Sequence, residues 1–155
     1  MRPPPTLFSL LASLPLLSAC VSAYVPPPAG SPTATIVLSA PEGDLFGLAQ
    51  SFSVVSGEDC ANGRMLASFS AMSGERTTSR LLPAATRQFV RVGQSNTRTF
   101  PLMRSCVNLV SFVPAEGANY RMRHRVEGDS CGVEVIQDDG KPVPTLQTHN
   151  ARACR

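Results

Sequence analysis

From residue 34 onward the chain alternates apolar and polar positions in short runs. Ile36 and Leu38 alternate with Thr35, Val37 and Ser39, with Val37 breaking an otherwise two-faced pattern. Within residues 46–55, Phe46, Leu48, Phe52 and Val54 share one face, which Gln50 interrupts. Met65, Ala67, Phe69 and Ala71 alternate with Arg64, Ser68 and Ser70, Leu66 being the exception. Residues 86–92, 106–113, 119–126 and 131–136 complete seven candidate strands. Successive strand side chains point to opposite faces, so a period of two punctuated by turn residues predicts half-buried strands. Strands at this spacing predict an all-β fold: a small antiparallel β-sandwich of about seven strands, immunoglobulin- or transthyretin-like. Asp138-Asp139-Gly140 predicts a turn before a final extended segment. The stretch 73–82 fits a short helix or a loop, and the pattern does not choose between them.

The first twenty residues follow a different rule. Arg2 precedes an apolar run from Leu7 to Leu17. That run is shorter than the roughly 20 residues needed to span a bilayer and has the length of a signal-peptide core. It ends in Leu17-Ser18-Ala19-Cys20, which resembles the bacterial lipobox. The resemblance implies that residues 1–19 are removed and that Cys20 carries a diacylglycerol thioether at the head of a 136-residue mature chain (155 − 19). Acyl chains contribute about 0.8 kcal/mol per buried methylene, so two or three of them anchor durably. Val21 follows the cysteine where an Asp would signal retention, so the resemblance implies an outer-membrane address facing the periplasm. Residues 20–33, rich in Pro and small side chains, read as a semi-rigid tether of polyproline character. Residues 34–155 read as the sandwich domain.

Cysteine parity points to the same compartment. Of five cysteines, Cys20 is taken by the lipid, leaving Cys60, Cys106, Cys131 and Cys154. An even set in an oxidising compartment predicts two disulfides, with three pairings open. The sequential pairing, Cys60–Cys106 with Cys131–Cys154, is the expectation. A zinc site is the rival, and the absence of C-x-x-C or paired Cys/His spacing weighs against it.

Composition narrows the chemistry. Charged residues make up 16% of the chain and the net charge is +3, so no large electrostatic footprint for nucleic acid is present. Thirteen of the fourteen basic residues are Arg, the side chain suited to hydrogen-bonded contact with carboxylate or phosphate. Arg121, Arg123 and Arg125 alternate with Tyr120, Met122, His124 and Val126, placing three guanidiniums on one strand face. Two readings follow: a stripe that binds an anionic envelope component or an envelope protein, or a solvated face paired with Glu127, Asp129 or Glu134. His124 falls on the apolar side as a packed residue, and His149 reads as solvent-facing. No G-x-S-x-G elbow, P-loop or dinucleotide fingerprint is present, and the adjacent carboxylates Glu58-Asp59 and Asp138-Asp139 lack the alternate spacing of a calcium loop. No catalytic residue, metal or cofactor is implied.

A second resemblance involves the stretch from Cys106 through Phe112, Pro114, Gly117 and Tyr120, followed by Cys131-Gly-Val133-Glu-Val135. It resembles small proteobacterial lipoproteins of unassigned function: a strand, a Pro-x-x-Gly turn, a Tyr-bearing strand and a Cys-x-Val-x-Val strand. That resemblance implies a fold and transfers no functional residue. The expected function is a membrane-anchored, non-catalytic envelope lipoprotein whose sandwich contacts another envelope component. The alternative is a periplasmic inhibitor or small-ligand-binding module acting through a loop at residues 93–105.

Overall fold

The computed structural model describes residues 22–42, 45–96, 104–127 and 130–154. Residues 1–19, the expected signal peptide, and Cys20 lie outside them. The strands are β1 (Ser22–Ala23), β2 (Thr33–Ser39), β3 (Leu48–Val55), β4 (Arg64–Ser70), β5 (Thr77–Pro83), β6 (Gln88–Asn96), β7 (Arg104–Phe112), β8 (Asn119–Glu127), β9 (Ser130–Gln137) and β10 (Gln147–His149). They form two sheets, ordered β1-β4-β3-β6-β7-β10 and β5-β2-β8-β9. The fold is the all-β sandwich expected from alternation. The expectation of purely antiparallel sheets is corrected: the first long strand, β2, lies between β5 and β8, antiparallel to one and parallel to the other, and β1 joins β4 in parallel, so both sheets are mixed.

The core is built by alternate residues. Ala34, Ile36 and Leu38 of β2, Leu82 of β5, and Tyr120 and Met122 of β8 meet Phe52, Phe69, Val90, Val92, Val110 and Phe112 from the larger sheet. Tyr120 is the pivot: its ring lies 5.2 Å from that of Phe112, and its hydroxyl accepts the Ala115 N–H at 2.9 Å. Between these two strands, Gly117 adopts φ +70°, which glycine tolerates best, while its N–H donates to the Thr33 carbonyl at 2.8 Å.

Three irregularities depart from the alternation. Phe52 pairs with Ala67 and Ser53 with Met65, so Leu66 is the extra residue of a bulge. That bulge lets Leu66 and Ala67 both be buried. The open stretch at 73–82 resolves as a turn leading into β5, Thr77–Pro83, an edge strand whose mostly polar, partly exposed residues hide its character. The presumed loop at 93–105 has strand at both of its ends: β6 runs to Asn96 and β7 starts at Arg104. Only its middle lies outside the described residues.

The segment after Cys20 contacts the sandwich at both ends. Ser22–Ala23 pairs in parallel with Arg64–Met65, and the Tyr24 hydroxyl donates to the Leu81 carbonyl at 2.7 Å. Residues 25–32 then cross a largely exposed stretch to β2.

The sequential disulfide pairing is corrected. Cys60 bonds Cys154, and Cys106 bonds Cys131, with Cα–Cα distances of 5.2 and 6.5 Å. The cause is topological. β7 and β9 face each other across the two sheets, bringing Cys106 and Cys131 together. The C-terminal 3-10 turn Ala151–Cys154 folds over the outer face of the larger sheet, reaching the β3–β4 loop that holds Cys60.

Core packing predicts sharply unequal costs for two substitutions. Phe112→Ala should lower stability by about 3–5 kcal/mol, whereas Met72→Ala, at a residue 95% exposed, should change it by less than about 0.5 kcal/mol. Urea unfolding midpoints check this, and similar shifts in both variants would contradict the packing.

Candidate functional site

Strand β8 sorts its side chains strictly by face. Arg121, Arg123 and Arg125 project outward from the four-stranded sheet, and Tyr120, Met122 and His124 project inward. Each guanidinium has a carboxylate partner. Arg121 Nε lies 3.2 Å from Asp138 Oδ1, Arg123 bonds Glu134, and Arg125 Nη2 lies 3.4 Å from the other oxygen of Glu134. The cross-strand register makes this arrangement, since Arg123 sits directly opposite Glu134. The Glu134 hydrogen bond raises the Arg123 pKa further above its already high value. Two arginines share one carboxylate, so the stripe keeps an excess of positive charge at side chains about half exposed. Exposed pairs of this kind contribute roughly 0–1 kcal/mol each.

The inner face carries a second constellation. Residues Gln50, Gln94, Asn108 and His124 form a polar layer at the end of the core nearest the β8–β9 connection. Gln50 is opposite Gln94 on β3 and β6, and Gln94 is opposite Cys106 on β6 and β7. His124 Nδ1 lies 2.7 Å from Gln94 Oε1. An amide oxygen only accepts, so Nδ1 carries the proton and Nε2 presents its lone pair to Asn108 Nδ2 at 3.3 Å. The same Asn108 nitrogen lies 3.2 Å from Cys106 Sγ and 3.4 Å from Cys131 Sγ. Burial pushes the His124 pKa below the ordinary imidazole value, so the ring is neutral. The Gln50 side-chain amide is buried with no hydrogen-bond partner among the described residues.

A third constellation escaped the sequence reading. His149 is not solvent-facing: its side chain is 11% exposed, its Nδ1 lies 3.0 Å from Glu58 Oε1, and its Nε2 lies 2.7 Å from Ser111 Oγ. This is the connectivity of a Ser-His-acid triad. Its nucleophile position differs, because Ser111 is fully buried and Arg87 Nη1 also donates to its oxygen at 3.0 Å. The ring additionally packs at 5.4 Å from Phe89. As placed, the three residues latch β10 and the β3–β4 loop onto β7. No local motif marks this group, because its members lie 38 and 91 positions from His149 (149 − 111 and 149 − 58).

Along the free edge of β9 runs a groove of about 590 Å³, lined by Cys131, Val133, Val135, Pro142 and Leu146 among others. No protein-family model matches this chain, and no curated protein matches it significantly.

The neutral His124 sets a pH dependence. Its folded pKa lies below the unfolded value, so its contribution is fully present above about pH 6.5. It is lost as pH falls from there toward the folded pKa, since the unfolded chain takes the proton first. Urea midpoints measured between about pH 7.5 and 5.5 should therefore fall more steeply for the native chain than for His124→Gln. Parallel profiles would contradict the burial of a neutral ring.

Proposed function

We propose that this chain is a lipid-anchored protein of the cell envelope, held through Cys20 in the outer membrane and facing the periplasm. Its sandwich acts without catalysis by contacting an envelope protein or an anionic envelope component. The observation that supports this reading best is the fate of the cysteines. Cys60, Cys106, Cys131 and Cys154 are all consumed by two disulfides. This pairing fits an oxidising compartment and leaves Cys20 as the cysteine to be explained by the lipobox. The parallel pairing of Ser22–Ala23 with β4 adds a geometric consequence. One residue separates Cys20 from a docked strand, so a lipid there would hold the sandwich close to the headgroups.

The contact surface in this reading is the stripe of Arg121, Arg123 and Arg125. It is flat, outward-facing and positive in excess, which suits carboxylate- or phosphate-bearing surfaces. The burial of Ser111 supports the non-catalytic half of the proposal.

Fractionation and capture test both halves. Cys20→Ala should move the protein from the membrane fraction to the soluble envelope fraction, and the native mature protein should carry a lipid mass on residue 20. Arg121→Glu with Arg123→Glu should reduce cross-linked capture of envelope components several-fold without lowering the unfolding free energy by more than about 1 kcal/mol. Membrane retention of Cys20→Ala would overturn the anchor. Unchanged capture would overturn the stripe, and covalent labelling of Ser111 by a fluorophosphonate would overturn the non-catalytic reading.

A further inference from the structure

The two disulfides sit in different surroundings. Cys60–Cys154 packs with Val55 and Leu109 in a small apolar cluster beneath the C-terminal turn. Cys106–Cys131 instead borders the polar layer, and Cys131 is among the residues lining the groove beside β9. Beneath it, Cys106 Sγ, Cys131 Sγ and a ring nitrogen of His124 all lie within 4.8 Å of one another. The Asn108 amide nitrogen meets these two sulfurs and His124 Nε2 at 3.2, 3.4 and 3.3 Å. An amide nitrogen has two hydrogens, so three electron-pair donors converge on a group that can donate to only two of them at once.

We propose that this is a soft-metal site closed by the disulfide: once Cys106–Cys131 is reduced, the two thiolates and His124 hold one Cu(I) ion. A dithiol reductant opens it by exchange. Its two thiols become a disulfide, the Cys106–Cys131 bond breaks, and two thiols form. Cu(I) then displaces both thiol protons to solvent, forming two copper–sulfur bonds and one bond to the imidazole. Metal–thiolate bonds of about 2.3 Å, the value for zinc, set two sulfurs roughly 3.5–4 Å apart, so separating them from bonded contact is a small movement. The Cα–Cα distance of 6.5 Å leaves room for it.

Ligand chemistry selects the ion. Two thiolates and one imidazole suit a soft monovalent cation that is satisfied by three ligands. Zinc prefers four, and no fourth His, Cys, Asp or Glu joins the cluster among the described residues. The supporting shell is already set. Gln94 accepts from Nδ1–H and fixes the tautomer that leaves Nε2 unprotonated, as in metal-bound histidines generally; the ion would replace the Asn108 amide as the partner of that lone pair. Asn108 donates toward both sulfurs and would stabilise their thiolate charge. The groove along β9 gives a dithiol and the ion a route to Cys131.

The test is titration of the full mature chain with Cu(I) against bicinchoninate, before and after reduction by tris(carboxyethyl)phosphine, with sheet content followed by circular dichroism. The reduced chain should withdraw one equivalent of Cu(I), and the oxidised chain none. Cys60→Ser with Cys154→Ser should retain this binding after reduction. Cys131→Ser should abolish it, and His124→Gln should weaken it at least tenfold. Zn(II) should bind at least tenfold more weakly than Cu(I). If reduction melts the sheets, Cu(I) should restore them. No withdrawal by the reduced chain, no refolding with Cu(I), loss of binding in the Cys60/Cys154 variant, or full binding by Cys131→Ser would each overturn the site. Equal or tighter Zn(II) binding would overturn its assignment to copper.

Discussion

Burial of Tyr120 ties together three parts of the chain that are distant in sequence. Its backbone lies opposite Ile36 in the parallel β2–β8 pair, its ring leans on Phe112 from the other sheet, and its hydroxyl holds the backbone of the connecting loop. Strand side chains repeat every two residues, so a slip of one position would exchange every inward and outward group of β8. With Tyr120 inside, Met122 and His124 must also lie inside, and Arg121, Arg123 and Arg125 must lie outside. The arginine stripe and the buried histidine are thus two consequences of one register.

That register carries through β9. Because β8 and β9 are antiparallel with Met122 opposite Val135, Val126 falls opposite Cys131 at the strand ends. On the facing sheet, the pairing of Gln94 with Cys106 sets the height of the polar layer. The core is therefore apolar around Phe52, Phe112 and Tyr120 and polar at the end bearing Gln50, Gln94, Asn108 and His124. The Cys106–Cys131 bridge closes that less hydrophobic end covalently. Cys60–Cys154 acts differently: it joins residues 94 positions apart, a closure that restricts the unfolded chain by about 4–5 kcal/mol in the loop-entropy account.

Much of this was legible from alternation alone. The patterns around Ile36, Phe69, Val92, Val110 and Met122 each mark a strand and its buried face, because inter-sheet burial imposes a period of two. Edge strand β5 was not legible, since a strand with one free edge and many exposed side chains need not be apolar. The Leu66 bulge was visible only as a broken alternation. Gln50, which looked like an interruption, lies on the buried face. Pairings across the sandwich were beyond reach because periodicity fixes which face a residue occupies and says nothing about which strand lies opposite. Hence the sequential disulfide expectation failed, and Ser111, His149 and Glu58 could not be grouped. The arginine stripe was legible as a face, but its sharing of Glu134 emerged only with the β8–β9 register.

The central claim is that the two sheets face each other so that β7 lies across from β9 and the C-terminal turn reaches the β3–β4 loop. A tryptic digest of the unreduced protein, read by mass spectrometry, tests it directly. The account predicts that the peptide containing Cys106 is joined to the one containing Cys131, and the peptide containing Cys60 to the short peptide Ala153-Cys154-Arg155. Joining of Cys60 to Cys106 would contradict it, because no sandwich with this strand order brings those two residues together.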